Sequence, residues 1–525
     1  MTTDKDSITS SAEEVPPADA CPTQKKRRWQ FICLAIVVIG VLGRPAWHLI
    51  STAMKDKPSV NNTPPAGMIN DASRLNETAV EKVVALPSDT ASADSELAKL
   101  LSMARTKRWR VSIAGARHSM GGHTIYPGGV VLDILSYNSM RLDEEKDVLY
   151  VGSGALWSDI IPYLDQHGRS VAVMQSNNSF SVGGSLSVNC HGWQYGRPPI
   201  ASTVISFRLL KADGTVVTCS RKENKELFSL VLGGYGLFGI ILDVQLKVVR
   251  NRRYVLDSYL VPAEEALATY NEKVGSKSRA AMVYARMNVD PDRFLQDVFL
   301  NVLREDPLRD TEPPPSLTEP GLMGIRRAVF RGSVDSDYGK RLRWSAEAKL
   351  QPKLRPRKYS RNQLLNEGVE IFENRQGDST DILHEYFVPE DRIALFIDRI
   401  RTIIPKHKGN LLNVTIRAVE EDMDTFLRYA DAPMLSLVML FNQKRTDAGE
   451  AAMEKMTREM IDASIKLGGR YYLPYRLHAT KEQFEAAYPM APEFFELKRK
   501  YDPTEMFQNQ FYLKYGTPNV GTEAD

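Results

Sequence analysis

The chain has 525 residues, and its 68 Lys and Arg nearly balance its 65 Asp and Glu, for a net charge of +3. That balance gives no support to a protein that coats nucleic acid, and a mean hydropathy of −0.31 excludes a polytopic membrane protein while leaving room for a single anchor. Four cysteines are too few for a disulfide framework or a structural zinc cluster of usual spacing, and the length predicts two to three domains at roughly 150 residues each.

Residues 1–28 read as a polar cytoplasmic tail that ends in four consecutive bases, Lys25 to Arg28. The apolar run Phe31–Gly43 (FICLAIVVIGVLG) follows at once. Counted from Trp29 to Ile50 the segment has 22 residues, about 33 Å of helix. The pattern predicts a transmembrane anchor over 29–50, with Trp29 and Trp47 at the interfaces and Arg44 snorkelling. The basic cluster then leaves the N-terminus in the cytoplasm and the catalytic body exported, periplasmic or extracytoplasmic. A cleaved signal peptide, with Ser51-Thr52-Ala53 as a poor cleavage site, and a buried helix are the alternatives. Residues 51–73 read as a linker, solvated through Asn70, and 518–525 as a disordered tail. Of the cysteines, Cys190 and Cys219 lie in the exported part and are expected as buried thiols.

From residue 74 the chain alternates short helices and strands. Ser95–Ala104 reads as a helix and Trp109–Ala114 as a strand. The turn Gly115-Ala116-Arg117-His118-Ser119-Met120-Gly121-Gly122-His123 follows, a backbone cradle whose N–H groups suit phosphate oxygens. Val130–Ile134 and Val148–Gly154 read as strands, and Leu156–Gln166 as a helix. A second small-residue turn spans Ser179–Ser187 and leads into Val188-Asn189-Cys190-His191-Gly192. Ile205–Leu210 and Val216–Cys219 flank the hairpin signal Ala212-Asp213-Gly214, and Glu226-Leu227-Phe228 opens a short helix. Gly234-Tyr235-Gly236-Leu237-Phe238-Gly239 matches the dinucleotide fingerprint, but apolar residues at 242, 244, 246 and 248 predict a strand where that fold needs a helix. A glycine turn ahead of a strand still suits close backbone approach to a ligand.

Residues 252–470 read as a second, substrate-binding domain of α+β type. Tyr254–Val261, Ile382–Pro389 and Leu411–Val419 predict strands. Leu435–Asn442 is a near-continuous apolar run, a buried strand. Ala263–Val274 and Ala451–Leu467 predict helices, the latter with core methionines at 453, 456 and 460. Pro307–Pro320 predicts an exposed loop. No GxxxxGK[ST], HExxH, GxSxG or CxxC occurs, and His384-Glu385 lacks the second histidine of a zinc helix, so no metal site is expected.

Residues 74–251 resemble the FAD-binding domain of the vanillyl-alcohol oxidase superfamily, the PCMH-type flavoproteins. The resemblance is carried by AGARHSMGGH at 114–123, VGSGALWSDI at 151–160, SVGGSLSVNCHGW at 181–193 and GGYGLFGIILDV at 233–244. Leu497–Tyr512 (LKRKYDPTEMFQNQFY) is similar to the tail of the sugar alcohol and aldonolactone oxidase branch. It implies an α+β fold with a two-subdomain FAD-binding domain at 74–251, a substrate (cap) domain at 252–470 and a C-terminal segment, 471–517, returning to the FAD domain.

The resemblance also implies roles. His118 matches the histidine that bonds covalently to the flavin, with Arg117 beside it favouring negative charge on the ring system; non-covalent FAD with a hydrogen-bonded turn histidine is the alternative. Ser179-Phe180-Ser181 holds no cysteine for a second bond, and Cys190 falls after the glycines. Ala114, Gly115, Ala116, Arg117, Ser119 and Met120, with Val182, Gly183, Gly184 and Ser187, would cradle the cofactor. Cys190, His191 and Gly192 would lie near the flavin, Gly239, Ile240 and Ile241 on the adenine side, and Asn509 would contact the cofactor from the tail. His123 is expected at the surface or behind the site.

Two departures bear on the substrate. Relatives of this branch carry Glu-x-Arg on the substrate strand; here Thr415-Ile416-Arg417 keeps the arginine alone. The His-Trp-x-Lys step is replaced by Tyr472-Leu473-Pro474-Tyr475. Arg417, as stabiliser of negative charge, and Tyr475, as donor to a substrate hydroxyl, are the expected catalytic residues. The implied activity is dehydrogenation of a CH–OH group of a sugar-like, lactone or lipid-linked alcohol. Hydride goes to flavin N5, and oxygen or a membrane acceptor takes the electrons. An amine or hydroxylated-aromatic oxidase, or a flavin-binding protein without turnover, are the other readings.

Overall fold

The computed structural model describes residues 2, 29–30, 42–57, 64–275, 278–308, 311–319 and 321–517. The polar tail, most of the expected anchor and the segment 518–525 lie outside the described residues. Among the described residues no helix is long and apolar enough to cross a membrane.

The first domain is built on two sheets. A three-stranded parallel sheet places Val130–Asp133 between Lys82–Ala85 and Val111–Ala114. The helix Thr90–Lys107 covers it, capped by Asp89 and burying Leu97, Leu100, Leu101 and Ala104, an i, i+3, i+4 stripe of the kind that seats a helix on a core. The second sheet is antiparallel and has Ile240–Arg250 at its centre. That strand pairs with Val204–Leu210 on one side and Val148–Gly152 on the other, and its far end pairs with Arg169–Val171. The GxGxxG run thus opens a strand of eleven residues. Its buried residues lie at every second position from 242 to 248, the period of a pleated strand.

The second domain is one eight-stranded antiparallel sheet. Its spatial order is Lys358–Ser360, Arg253–Pro262, Asp297–Glu305, Ala280–Met287, Asn410–Val419, Met434–Lys444, Ser379–Pro389 and Arg470–Tyr471. Met434–Lys444 sits inside it and is buried at every position but its last, which explains why it reads as an unbroken apolar run. The helices Ile393–Lys406 and Asp447–Ile465 contact each other, and both also contact the strand Ser379–Pro389. Met453, Met456 and Met460 are buried in the core.

The chain end closes on the first domain. Val111 N–H donates to the Met506 carbonyl at 2.8 Å, and Gln508 N–H donates to the Val111 carbonyl at 3.1 Å. The turn that makes this possible is organised by Asp502. Its carboxylate accepts from Met506 N–H at 3.0 Å and Phe507 N–H at 2.8 Å, and it pairs with Lys498, both side chains fully buried.

Two expectations change near the N-terminus. The chain is helical over 42–55, so the helix does not end at Ile50. It lies against the second domain: His48 Nε2 donates to the Gly332 carbonyl at 3.0 Å, the Arg44 guanidinium sits 4.1 Å from the Tyr338 ring centre, and Asp56 binds Arg327 at 2.5 and 2.9 Å. Arg44 and His48 are therefore held by protein, not lipid. The linker is also not solvated to its end. Ile69, Asp71 and Ser73 are buried, and Asp71 accepts from the Gly122 N–H at 2.8 Å, which ties this segment to the cradle loop.

Candidate active site

One cavity of about 1660 Å³ runs between the two domains. It is larger than the usual 300–1,000 Å³ of a single small-molecule pocket, as a dinucleotide plus a substrate requires. Its floor is the first domain's loops and its roof is one face of the eight-stranded sheet.

The floor is shaped by close backbone approach. A Cβ on Gly115 would lie 2.0 Å from Ser181 Oγ, so the two small-residue loops touch each other directly. Arg117 adopts φ +55°, a left-handed conformation that turns the chain sharply after the strand Val111–Ala114; its guanidinium is anchored on Asp133 at 2.9 Å. The second loop is not a bare turn. Val182–Ser187 forms a short helix with Ser181 as its cap. Gly115, Ala116, Arg117, His118, Ser119, Met120, Gly183, Gly184, Ser187, Cys190, His191, Gly239 and Ile241 all line the cavity.

Five residues expected at the cofactor do not line it. Ala114, Val182 and Ile240 are fully buried in the cores behind. Gly192 packs under the Met174 carbonyl, which a Cβ would meet at 2.0 Å. Asn509 caps the helix Gln510–Tyr515 and donates to the carbonyls of His123 and Tyr235, both at 2.9 Å. Its amide is fully used in holding loops together. His123 is likewise not at the surface: it is buried beside the Tyr235 and Phe511 rings, and burial pushes its imidazole down to about 3.

His118 is fixed at the cradle by two contacts. Its ring stacks on Phe180 at 4.2 Å, and Nε2 lies 3.0 Å from the Ser179 carbonyl. A carbonyl only accepts, so Nε2 carries the proton and Nδ1 the lone pair. Burial lowers the pKa of this histidine, which keeps that lone pair free at neutral pH. Cys190 is the opposite case: burial pushes its thiol up to about 12, so no thiolate forms there.

The roof carries the polar chemistry. Arg417, on Asn410–Val419, donates to Ser176 Oγ at 2.8 Å. Thr415, which stands where the glutamate was expected, accepts from Arg286 at 2.8 Å. The carboxylate comes from a neighbouring strand. Glu385 and Thr415 both pair with Val438, one on each side of it, so the three residues share a register and, by the two-residue period, a face. Glu385 lies 2.6 Å from His191 Nε2 and accepts from the Tyr475 hydroxyl at 3.3 Å. Burial pushes this carboxyl up, but His191 and the Arg417 charge outweigh it and leave its pKa below the usual glutamate range. Burial and Glu385 raise the Tyr475 phenol well above 10, so it remains a donor. Motif spacing does not point to Glu385, because the Thr415-Ile416-Arg417 run where a carboxylate is expected lies thirty residues downstream; its one local mark is a place on a predicted strand beside His384.

The cavity fits a large polar cofactor. Ser119, Thr124, Ser153, His191 and Trp193 line it, and each holds a buried polar side-chain atom with no protein partner, as does Arg417 Nε. Native interiors seldom leave such atoms unmatched, and these six belong to residues that line the cavity. Among the described residues no cluster of histidine, cysteine and carboxylate suits a metal ion.

Comparison with known proteins agrees with the geometry. Residues 82–220 match the FAD-binding domain family, and residues 345–515 match the D-arabinono-1,4-lactone oxidase family. The chain is 30% identical over 201 residues to cytokinin dehydrogenase 2 of Arabidopsis thaliana, covering 38% of this chain and 36% of that one. It is 28% identical over 172 residues to L-gulonolactone oxidase of Mus musculus, covering 33% and 39%. It is 29% identical over 257 residues to cytokinin dehydrogenase 7 of Oryza sativa subsp. japonica, covering 47% and 48%. The aligned stretches thus span between about a third and a half of these relatives. With both family matches in chain order and the cavity between them, the chain belongs to the PCMH-type FAD-binding superfamily, near its aldonolactone oxidase branch.

Proposed function

We propose that the chain is an FAD-dependent oxidoreductase that dehydrogenates the CH–OH group of a sugar-like, lactone or lipid-linked alcohol. The observation that carries this reading is the group formed where Arg417, Glu385 and Tyr475 meet His191 of the first domain inside the cavity. Bound FAD supplies the hydride acceptor and passes the electrons to oxygen or a membrane acceptor.

The protein's part is orientation and proton handling. A carboxylate only accepts, so the His191 Nε2–H donates to Glu385, and in the neutral ring the lone pair falls on Nδ1, which is buried without a partner. That nitrogen is the acceptor for the substrate hydroxyl proton, and Glu385 holds the ring's tautomer and balances its charge once protonated. Tyr475 and Arg417 orient the substrate oxygen and offset negative charge that develops on it. The loops at 115–120 and 183–187 would hold the cofactor, with His118 Nδ1 as the atom that would link it covalently. The segment 29–50 around the apolar run Phe31–Gly43 tethers the chain to a membrane, with the body exported.

Anaerobic titration of the FAD-loaded protein with sugar alcohols, aldonolactones and polyprenyl-linked sugars tests the reading, with bleaching of the flavin absorbance expected for an alcohol. Bleaching by amines or hydroxylated aromatics instead would favour the second reading, which the cytokinin dehydrogenase relatives keep open. A protein that binds no FAD would overturn both.

A further inference from the structure

Beyond the catalytic walls, the cavity continues to a mouth in the second domain, between the helix Met323–Arg331 and the turn Ala346–Leu350 with the short helix Gln351–Leu354. The large apolar residues of this mouth face solvent. Leu322 and Leu354 are each 73% exposed, and Ile325 and Leu350 more than half. All four line the cavity. Four exposed large aliphatic residues around a ligand opening are not what a water-facing mouth selects.

Two further observations identify what covers it. Between Ala348 and Lys358 the chain carries Lys349, Lys353, Arg355, Arg357 and Lys358 and no acid. Arg357 and Lys358 face Asp257 and Asp306 at 3.6 and 3.7 Å and Arg355 donates to Ser258 and Asn301, so the exposed Lys349 and Lys353 carry the positive charge beside the apolar rim. The helix over 42–55 packs beside this mouth through Arg44 and His48, spaced by four, and Asp56 just past its end binds Arg327. Its other face presents Trp47, Ile50 and Met54, each more than half exposed, spaced as one helical stripe. A helix held on one side with an apolar stripe on the other has the form of an interfacial helix lying in a membrane surface, and it is about 20 Å long.

We infer that this mouth seats on an anionic lipid bilayer, with Leu322, Ile325, Leu350 and Leu354 in the acyl boundary and the cations at the headgroups. The cavity then opens into the membrane, and the alcohol that it takes is the polar head of an amphiphile whose tail stays in lipid. This rests on the tether reading above and adds to it: a tether alone leaves the mouth free in water.

The test uses the full chain in vesicles of phosphatidylethanolamine and phosphatidylglycerol. A benzophenone amino acid replaces Leu322, Leu354, Leu34 of the apolar run or Met103 of the helix Thr90–Lys107, and lipid adducts are read by mass spectrometry after illumination. Adducts at 322 and 354 without adducts at 103 are expected, with a several-fold lower yield in vesicles of phosphatidylcholine alone. Adducts at 34 without any at 322 and 354 would overturn the docking and spare the tether. No adducts at 34, 322 or 354 would overturn both, and equal yields in the two lipid compositions would overturn the anionic preference.

Discussion

Glu385 and Thr415 flank Val438 in the same register of one sheet, so the carboxylate that is missing beside Arg417 is supplied by a strand that follows a different part of the chain. Its partner His191 comes from the other domain, at 2.6 Å. The pair therefore exists only when the two domains close on one another. Glu385→Gln keeps the shape and removes the charge that stabilises protonated His191. Turnover is expected to fall about 10²- to 10⁴-fold with FAD content unchanged. His191→Gln should cost a similar factor, and the double variant little more than either, because the two act as a unit. Additive losses in steady-state rates would contradict the shared role.

The Arg417 side chain is half-buried, with one donor on Ser176 and a buried Nε without a partner. Arg417→Lys retains a charge but loses the planar set of donors. A drop of about 10²- to 10³-fold in kcat is expected, with flavin retained. An unchanged kcat with a raised KM would assign Arg417 to binding alone.

For the flavin link, His118→Ala is expected to yield protein whose yellow colour is released by acid precipitation, while the parent keeps it in the pellet. Cys190→Ser should leave the acid-stable fraction unchanged, since burial holds that thiol protonated, at about 12. Colour retained by the alanine variant would move the attachment elsewhere.

Acid sensitivity follows from His384. It is buried against Phe441, and burial pushes its pKa down to about 3, while an unfolded histidine titrates near 6.5. Between those values the unfolded chain binds a proton that the folded chain does not. The contribution is complete above about pH 6.5 and is lost as pH falls, by at most about 1.4 kcal/mol per pH unit. His384→Gln should flatten the fall of the melting temperature between pH 6.5 and 5; an unaltered slope would exclude His384 as the source.

Lys498 and Asp502 form a fully buried pair, and Asp502 also accepts two backbone N–H groups at the turn that brings the chain end back. Asp502→Ala leaves a buried ammonium without its counter-charge and two donors unmet. A loss of about 3–5 kcal/mol is expected, seen as a lower denaturant midpoint. A loss below about 1 kcal/mol would mean that water enters the site.

The local pattern alone determined much of this protein. Alternation at 242–248 separated a strand from a dinucleotide helix, the unbroken run near 435–442 identified a doubly buried strand, and the small-residue turns at 115–123 and 179–187 marked the cofactor loops. Each of these properties depends on neighbours in the chain, through the two-residue pleat or the backbone freedom of small residues. Tertiary structure decided what depends on register and closure. It paired Glu385 with His191, drew Asn509 into a capping role behind the cavity, buried His123, and laid the helix at 42–55 along the second domain with its apolar stripe outward. Those arrangements depend on which strands lie side by side and which loops meet, and residues hundreds of positions apart carry no mark of that in their own neighbourhoods.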